Sequence, residues 1–511
     1  MKNRHPRRAT MLLLILPAAA AIAWAGLGGC SVLTRKAHLG LVCPEPDGRG
    51  FVEQFPRRHG TKLRPFVPFG TNYYDPNTGW APKLWRQFDP NRVAEHFRVM
   101  NELGVNCARV FLTAATFQPD VNTVDERALR KLDKLVEIAR DARIRLIVTG
   151  PDHWEGVPAY WKPDRFAGSQ SRRALERFWS VVARRYRLEP AIFSWDLLNE
   201  PHLPWFVESW RPQWNAWLHR KYGSWPALKA TYAGELGADE SWQSVAPPKN
   251  EADPGSPRLR DWQLFREHVA DEWVRRQVEA IRHADPTARV TVGYIQWSYP
   301  LVRSGKPGRY SAFNPRRQAQ WLDFVSIHFY PTLGGPFDSP ENWEKNLAYL
   351  RSVLAYCHTD KPVVLSEYGW YGGGAPRGQR HLDEAQQARW LTAEIEASRR
   401  LAHGWLSWPF ADTPSSTDIS IYAGLVTQRM TPKQWGRCFQ AYAARLSTLP
   451  QPTPVLPDVD ITKALTTPAA ELAPMHERYA GRIEATLTRA GPVPPIRVPA
   501  TVTGASDQTR K

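Results

Sequence analysis

The chain has 511 residues, 42% hydrophobic and 23% charged, with a net charge of +17. That length and balance suit one large globular domain or two or three ordinary ones, and they exclude a disordered, collagen-like or many-spanning membrane protein. Its unusual entries are 23 Trp and 45 Pro; excess Trp serves either a large core or flat apolar faces that stack on rings.

The first thirty residues stand apart. Lys2, Arg4, Arg7 and Arg8 form a basic leader, an apolar stretch runs from Met11 to Leu27, and Leu27-Gly28-Gly29-Cys30 follows. This is the layout of an export signal, residues 1–29, with small residues before the cleavage point. Cys after Leu-Gly-Gly resembles the bacterial lipoprotein signal, which implies lipidation at Cys30 and a membrane anchor; a plain secretory signal or an uncleaved anchor are the alternatives. Losing the leader lowers the net charge to +13. The remaining arginines (Arg127, Arg130, Arg140 and Arg143, or Arg172, Arg173, Arg177, Arg184 and Arg185) are spread along helices. They read as solvated faces rather than a nucleic-acid surface. Cys43, Cys107, Cys357 and Cys438 show no CxxC spacing, so no zinc or redox site is expected.

Residues 30–60 read as a polar lead-in. From 61 to 448 strand and helix patterns alternate, the mark of a parallel sheet with helical crossovers. The expected strands are Phe66–Asn72, Val105–Phe111, Arg145–Thr149, Ile192–Leu198, Val290–Ile295, Phe324–His328, Pro362–Ser366 and Gly404–Trp408. The expected helices are Arg92–Leu103, Glu126–Ala142, Arg172–Tyr186, Trp262–His283, one turn near Pro315–Trp321, Asn342–Tyr356, Glu384–Leu401 and Lys433–Leu446. Eight units make a (β/α)8 TIM barrel, an α/β fold. Residues 201–257 form a Trp-rich helical insertion after the fourth strand, on the catalytic face. Residues 449–511 mix Pro, Thr and Ala and read as a largely disordered tail, apart from a short helix near Ala469–Arg489.

Active sites in such barrels lie at the C-terminal ends of the strands. The polar residues there are Arg109 on strand two, Asn199 and Glu200 on strand four, His328 and Tyr330 on strand six, and Glu367 on strand seven, with Trp408 on strand eight. Two carboxylates facing each other across a barrel mouth suit glycosidic bond cleavage, in which one donates a proton and the other attacks or activates water.

The stretches Trp195-Asp-Leu-Leu-Asn-Glu-Pro201 and Lys361-Pro-Val-Val-Leu-Ser-Glu-Tyr-Gly369 resemble the two catalytic signatures of glycoside hydrolase clan A, nearest to family 5, the cellulases and β-mannanases. Gly70-Thr-Asn-Tyr73, Leu103-Gly-Val-Asn-Cys-Ala-Arg109 and His328-Phe-Tyr330 fit the same family. The resemblance runs from Phe66 to Leu446. It implies a retaining hydrolase of a β-linked oligo- or polysaccharide, with Glu200 as acid/base and Glu367 as nucleophile. It also implies Asn199 on the sugar 2-hydroxyl, Arg109 and Tyr330 on the nucleophile, Trp408 under the sugar, and a strand-three His for which His153 is the candidate. His328 and Trp205 join these as substrate-binding candidates. Trp154, Trp161, Trp297 and Trp370 fall just past strand ends and read equally as sugar platforms or as packing.

No phosphate loop, metal-ligand cluster or nucleophile elbow appears, so no cofactor or metal is expected, and the chain is expected to act as a monomer. Endo action on mannan or glucan, exo action, and a non-catalytic surface glycan-binding lipoprotein all remain open at this level.

Overall fold

The computed structural model describes residues 39–80, 82–249, 255–302 and 307–499. The leader and Cys30 therefore lie outside the described residues. Eight parallel strands close into a barrel: β4 (Phe69–Asn72), β5 (Cys107–Thr113), β6 (Arg145–Asp152), β7 (Ile192–Asn199), β8 (Val290–Tyr294), β9 (Val325–Phe329), β10 (Val363–Tyr368) and β11 (Gly404–Ser407), with β11 pairing back onto β4. The strands are buried along almost their whole length. This is why they read as continuous apolar runs rather than alternating ones.

The amphipathic crossover helices follow from their spacing. In Glu126–Asp141, Leu129, Leu132, Leu135, Val136 and Ala139 share the buried face, and Asp125 caps the first turn by accepting from the Ala128 amide. The fifth connection is a single helical turn, Pro315–Gln318, capped by Asn314.

Two expectations change. The lead-in is an antiparallel sheet of three strands, β1 (Leu41–Pro44), β2 (Phe51–Arg57) and β3 (Gly60–Phe66), and Phe66 ends that sheet rather than starting the barrel. It closes the N-terminal end of the barrel. Phe51 meets Phe193 and Phe324 edge-on at 5.2 and 5.5 Å, Phe66 meets Phe193 at 5.9 Å, and Val42 joins the same cluster. Buried Glu53 on β2 pairs with Arg145 at the start of β6 and with Arg64. Polar composition disguised the segment because β3 exposes most of its residues and only one face of the sheet is apolar.

The second change concerns the tail. Over the described residues it is packed, with helices at Ile461–Thr466 and Ala469–Arg489. Leu465, Leu472, Tyr479 and Ile483 are buried, and Arg399 donates to the carbonyls of Thr448, Leu449 and Pro494. Proline-rich composition hid a chain that docks by single apolar anchors spaced along a helix.

The insertion holds helices Arg211–Tyr222 and Trp225–Tyr232, with Trp210 and Trp214 fully buried against Trp262 and Phe265. All four cysteines after Cys30 are buried and unpaired. Because Phe51 anchors the closing sheet in a dense aromatic cluster, Phe51→Ala should lower stability by about 3–5 kcal/mol, read as an earlier thermal unfolding midpoint; an unshifted midpoint would show that the sheet is not part of the cooperative core.

Candidate active site

The site is assembled around Arg109, which is fully buried on β5. Its Nε and Nη2 donate to Asp196 Oδ2 at 2.9 and 2.7 Å, and Nη2 also donates to Asn199 Oδ1 at 2.9 Å. Nη1 donates to Glu367 Oε1 at 2.5 Å and to Asn72 Oδ1 at 3.2 Å. The guanidinium lies 4.8 Å from the Phe111 ring centroid. Burial opposes its charge, and Asp196 and Glu367 hold the charge in place. Asp196 is itself fixed by the Thr149 hydroxyl at 2.8 Å and the Gly293 amide at 2.7 Å.

Glu367 ends β10 and is 3% exposed. Besides Arg109 it accepts from the Tyr330 hydroxyl at 2.8 Å, so each of its oxygens has a donor. Glu200 follows β7 immediately, with a left-handed φ of 47° and its amide donating to the Gly293 carbonyl at 2.8 Å. Non-glycine residues rarely adopt this conformation, and it costs on the order of 1–3 kcal/mol. His328 Nδ1 sits between the two carboxylates, 3.0 Å from Glu200 Oε1 and 3.5 Å from Glu367 Oε1. One ligand atom each from Glu200, His328 and Glu367 lie within 4.8 Å of one another.

The carboxylates differ electrically. Burial and the charge of Glu367 push the Glu200 carboxyl up to about 8. Burial raises Glu367 as well, but Arg109 and Tyr330 pull it back toward the charged form. Glu200 has neither a guanidinium nor a phenol bonded to it, so burial and the charge of Glu367 favour its protonated form. Burial and Arg109 keep His328 neutral. This trio is the one cluster among the described residues with metal-ligand spacing. Both oxygens of Glu367 already accept from Arg109 and Tyr330, so a cation would have to compete with a guanidinium at 2.5 Å.

Trp408 follows β11, is 7% exposed, and anchors its indole N–H on the Ser420 hydroxyl at 3.0 Å. It belongs to an aromatic cluster with Tyr74, Phe111, Trp80 and Tyr330. Trp80 packs 5.2 Å from Trp408 and 5.4 Å from Trp154, which is 40% exposed.

Six candidates thus come together: Arg109, Asn199, Glu200, His328, Tyr330 and Glu367, with Trp408 beside them. Two are placed differently. β6 runs on through Asp152, so His153 falls past the strand and faces Asp152, Arg165 and the Trp154 ring. The strand-end group is Asp152, whose charge adds to the upward push on Glu200. Trp205 is held inside the insertion, donating to the Pro248 carbonyl at 3.0 Å and packing on Trp262 and Arg266. Of the strand-end tryptophans, Trp161 is buried beneath Arg165, whereas Trp154 and Trp297 remain 40% and 37% exposed.

Sequence reasoning missed Asp196, Thr149, Gly293 and Trp80. Asp196 stood inside a quoted motif, four residues before Glu200. Its signal was a charged residue in the middle of a strand buried on both faces, which demands a partner.

A barrel with two strand-end carboxylates, one held by an arginine and a tyrosine and the other pushed toward its protonated form by burial, defines a hydrolase of glycosidic bonds. The family model for cellulase, glycosyl hydrolase family 5, matches residues 69–223, and that for beta-galactosidase matches residues 152–369. Mannan endo-1,4-beta-mannosidase A of Podospora anserina is 31% identical over 376 residues, covering 68% of this chain and 79% of that one. Probable mannan endo-1,4-beta-mannosidase C of Aspergillus terreus is 23% identical, covering 50% and 54%. The chain belongs to glycoside hydrolase family 5 of clan A, and it is a β-glycoside hydrolase. Among solved structures it is similar in fold to GH5_18 from Streptomyces cattleya in complex with GlcNAc (TM-score 0.58, 19% identity, 83% and 92% covered). It is similar in the same way to the exo-beta-1,4-mannosidase Op5Man5 from Opitutaceae bacterium strain TAV5 (0.55, 18%, 81% and 64%).

A Cβ placed on Gly293 would lie 2.6 Å from Arg109 Nη2, 3.0 Å from Asp196 Oδ2 and 3.2 Å from His328 Nε2. Gly293→Ala should therefore destabilise the fold by about 1–3 kcal/mol, seen in denaturant titration, and lower activity in the protein that remains folded; a silent substitution would mean that the mouth of the barrel is looser than these distances.

Proposed function

We propose that the chain hydrolyses β-1,4-mannosidic linkages with retention of configuration, Glu367 acting as nucleophile and Glu200 as acid/base. The observation that carries this reading is the unequal environment of two carboxyls at short range. Retaining enzymes hold their pair about 5–5.5 Å apart so that one can reach the anomeric carbon directly, and oxygens within 4.8 Å suit that geometry.

In the first step Glu367 Oε attacks the anomeric carbon while Glu200 passes its proton to the departing oxygen. This leaves a glycosyl ester on Glu367 and an ionised Glu200. In the second step Glu200 takes a proton from water, the hydroxyl oxygen displaces Glu367, and both carboxyls return to their starting states. Arg109 and Tyr330 spread the Glu367 charge and aim its oxygens. Asn199 spends its carbonyl on Arg109, so its amide N–H2 is the group free to meet the sugar 2-hydroxyl. Trp408 provides an apolar floor for the sugar. Neutral His328 bridges the pair and orients Glu200 without adding a charge.

The sugar rests on the relatives: several are named as mannan endo-1,4-beta-mannosidases, and one similar structure as an exo-beta-1,4-mannosidase. Both carboxyls come from one chain, so a monomer suffices. The basic leader, apolar stretch and Leu-Gly-Gly-Cys30 support export and lipid anchoring at Cys30. No helix of the described residues is long and apolar enough to cross a membrane.

Hydrolysis of a panel of β-linked polysaccharides and short β-glycosides should single out mannosides, and Glu367→Ala should lower the rate by several orders of magnitude. Glu200→Ala should cost about 10²–10⁴-fold, and least on aryl glycosides whose leaving groups need no proton. Activity indifferent to either change would overturn the assignment. Because the acid works only when protonated, kcat/KM should fall as pH rises through about 8; a profile still flat at pH 10 would place the acid elsewhere.

A further inference from the structure

The barrel order fixes which side of the site each part of the substrate meets. Glu200 on β7 hands its proton to the departing oxygen, so on the proposed mechanism the leaving group lies on the β7–β8–β9 side. The aromatic cluster of Tyr74, Trp80, Phe111 and Trp408 belongs to the β11–β4–β5 side, across the mouth.

On the leaving-group side lies a cavity of about 980 Å³. It starts at His202, two residues beyond Glu200, and at Thr332, two residues beyond Tyr330. Gln296 ties it to the site, since its side chain accepts from the Tyr330 amide at 2.7 Å and donates to the Tyr330 carbonyl at 2.9 Å and the Thr332 hydroxyl at 3.1 Å. The half-exposed Trp297 follows directly. The opposite wall is not part of the barrel. It comes from the C-terminal helix Ala469–Arg489, which presents Leu472, Ala473, His476 and Ala480 and is fastened by a 3.0 Å hydrogen bond between His476 Nδ1 and the Tyr299 hydroxyl.

Aliphatic side chains, Leu301, Val302, Leu333, Ala348, Leu472 and Ala480, form one continuous part of the wall, and polar ones, among them Arg309, Asn342, Lys345 and Glu477, share the rest. Along the aliphatic part sugar hydroxyls would lose water without gaining partners, whereas an apolar chain laid there gains from burial. We propose that this cavity is the leaving-group pocket of the same active site and that it takes an apolar aglycone, the alkyl or isoprenoid chain of a β-glycoside, against the C-terminal helix. This rests on the placement of Glu200 as the acid.

The test uses n-alkyl β-mannosides and β-glucosides from methyl to dodecyl, measured as kcat/KM for the wild type, Ala473→Trp, which fills the cavity, and Ala470→Trp, on an exposed face of the same helix outside it. In the wild type kcat/KM should rise about two- to fourfold per methylene, near the full transfer value for a buried CH₂, until the pocket is full. Ala473→Trp should flatten that dependence, and Ala470→Trp should keep it. Trp297→Ala, which removes one wall, should also weaken it and serves if Ala473→Trp does not fold. Hydrolysis independent of chain length in the wild type, with Glu367→Ala inactive, would overturn the pocket while leaving the catalytic reading intact. Should the wild type cleave none of them, calorimetric binding of the same series to Glu200→Gln reads the pocket directly: affinity rising with chain length and lost in the Ala473→Trp background sustains it, and affinity independent of length refutes it.

Discussion

A guanidinium with no exposed surface must find an acceptor for its donors and a counter-charge, and Arg109 finds both among groups from three other strands. Asn72 on β4, Asp196 and Asn199 on β7, and Glu367 on β10 all accept from it. Two carboxylates balance one cation, and the deficit is met by the Thr149 hydroxyl and the Gly293 amide, which donate to Asp196. Removing one partner from such a network leaves an uncompensated buried charge, with a cost of about 3–5 kcal/mol. The strands therefore cannot slide in register without unpairing it, and the mouth of the barrel is rigid where the chemistry needs rigidity.

The same network creates the electrical difference on which the proposed mechanism depends. Glu367 lies inside it and Glu200 outside, so the neighbours of one pull it toward the charged form while burial and repulsion push the other toward the protonated one. Had Arg109 reached midway between them, both would ionise and neither could donate. The left-handed backbone at Glu200 belongs to this arrangement: it lets the chain turn at the end of β7 while the amide still bonds Gly293, and the Glu200 carboxyl takes no hydrogen bond from Arg109.

What the sequence disclosed, and what it did not, follows from the reach of each interaction. The eight barrel strands were legible because burial on both faces writes an unbroken apolar run. Glu200 and Glu367 were legible because they end such runs with a charge. Asp196 was not, since a carboxylate within a strand announces only that a partner exists, and Arg109 is 87 residues away. The closing sheet and the packed C-terminal segment were misjudged for a related reason. Each has a single apolar face, and its complement is the barrel itself, so neither carries in its own residues the pattern that explains it. His153 was misplaced by a matter of register: β6 is three residues longer than its apolar core, and that brings Asp152 to the strand end in its stead.

These missed segments are also what distinguishes this barrel from a bare one. Arg109 and its partners require only the eight strands, and a site built on them alone would be open on every side. The closing sheet acts at the far end, through Phe51 and Glu53, and steadies the strand starts without touching the mouth. The C-terminal helix acts at the mouth, reaching the β8 and β9 loops through the His476–Tyr299 hydrogen bond and through Leu472. No described side chain of that helix is among the groups that hydrogen-bond Arg109 or Glu367. A residue there can alter what sits beside the departing oxygen. On the proposed reading chemistry and choice of leaving group are carried by different parts of the chain, one locked by buried charge and the other held by apolar contacts and the His476–Tyr299 hydrogen bond, which tolerate substitution better than a buried ion pair does.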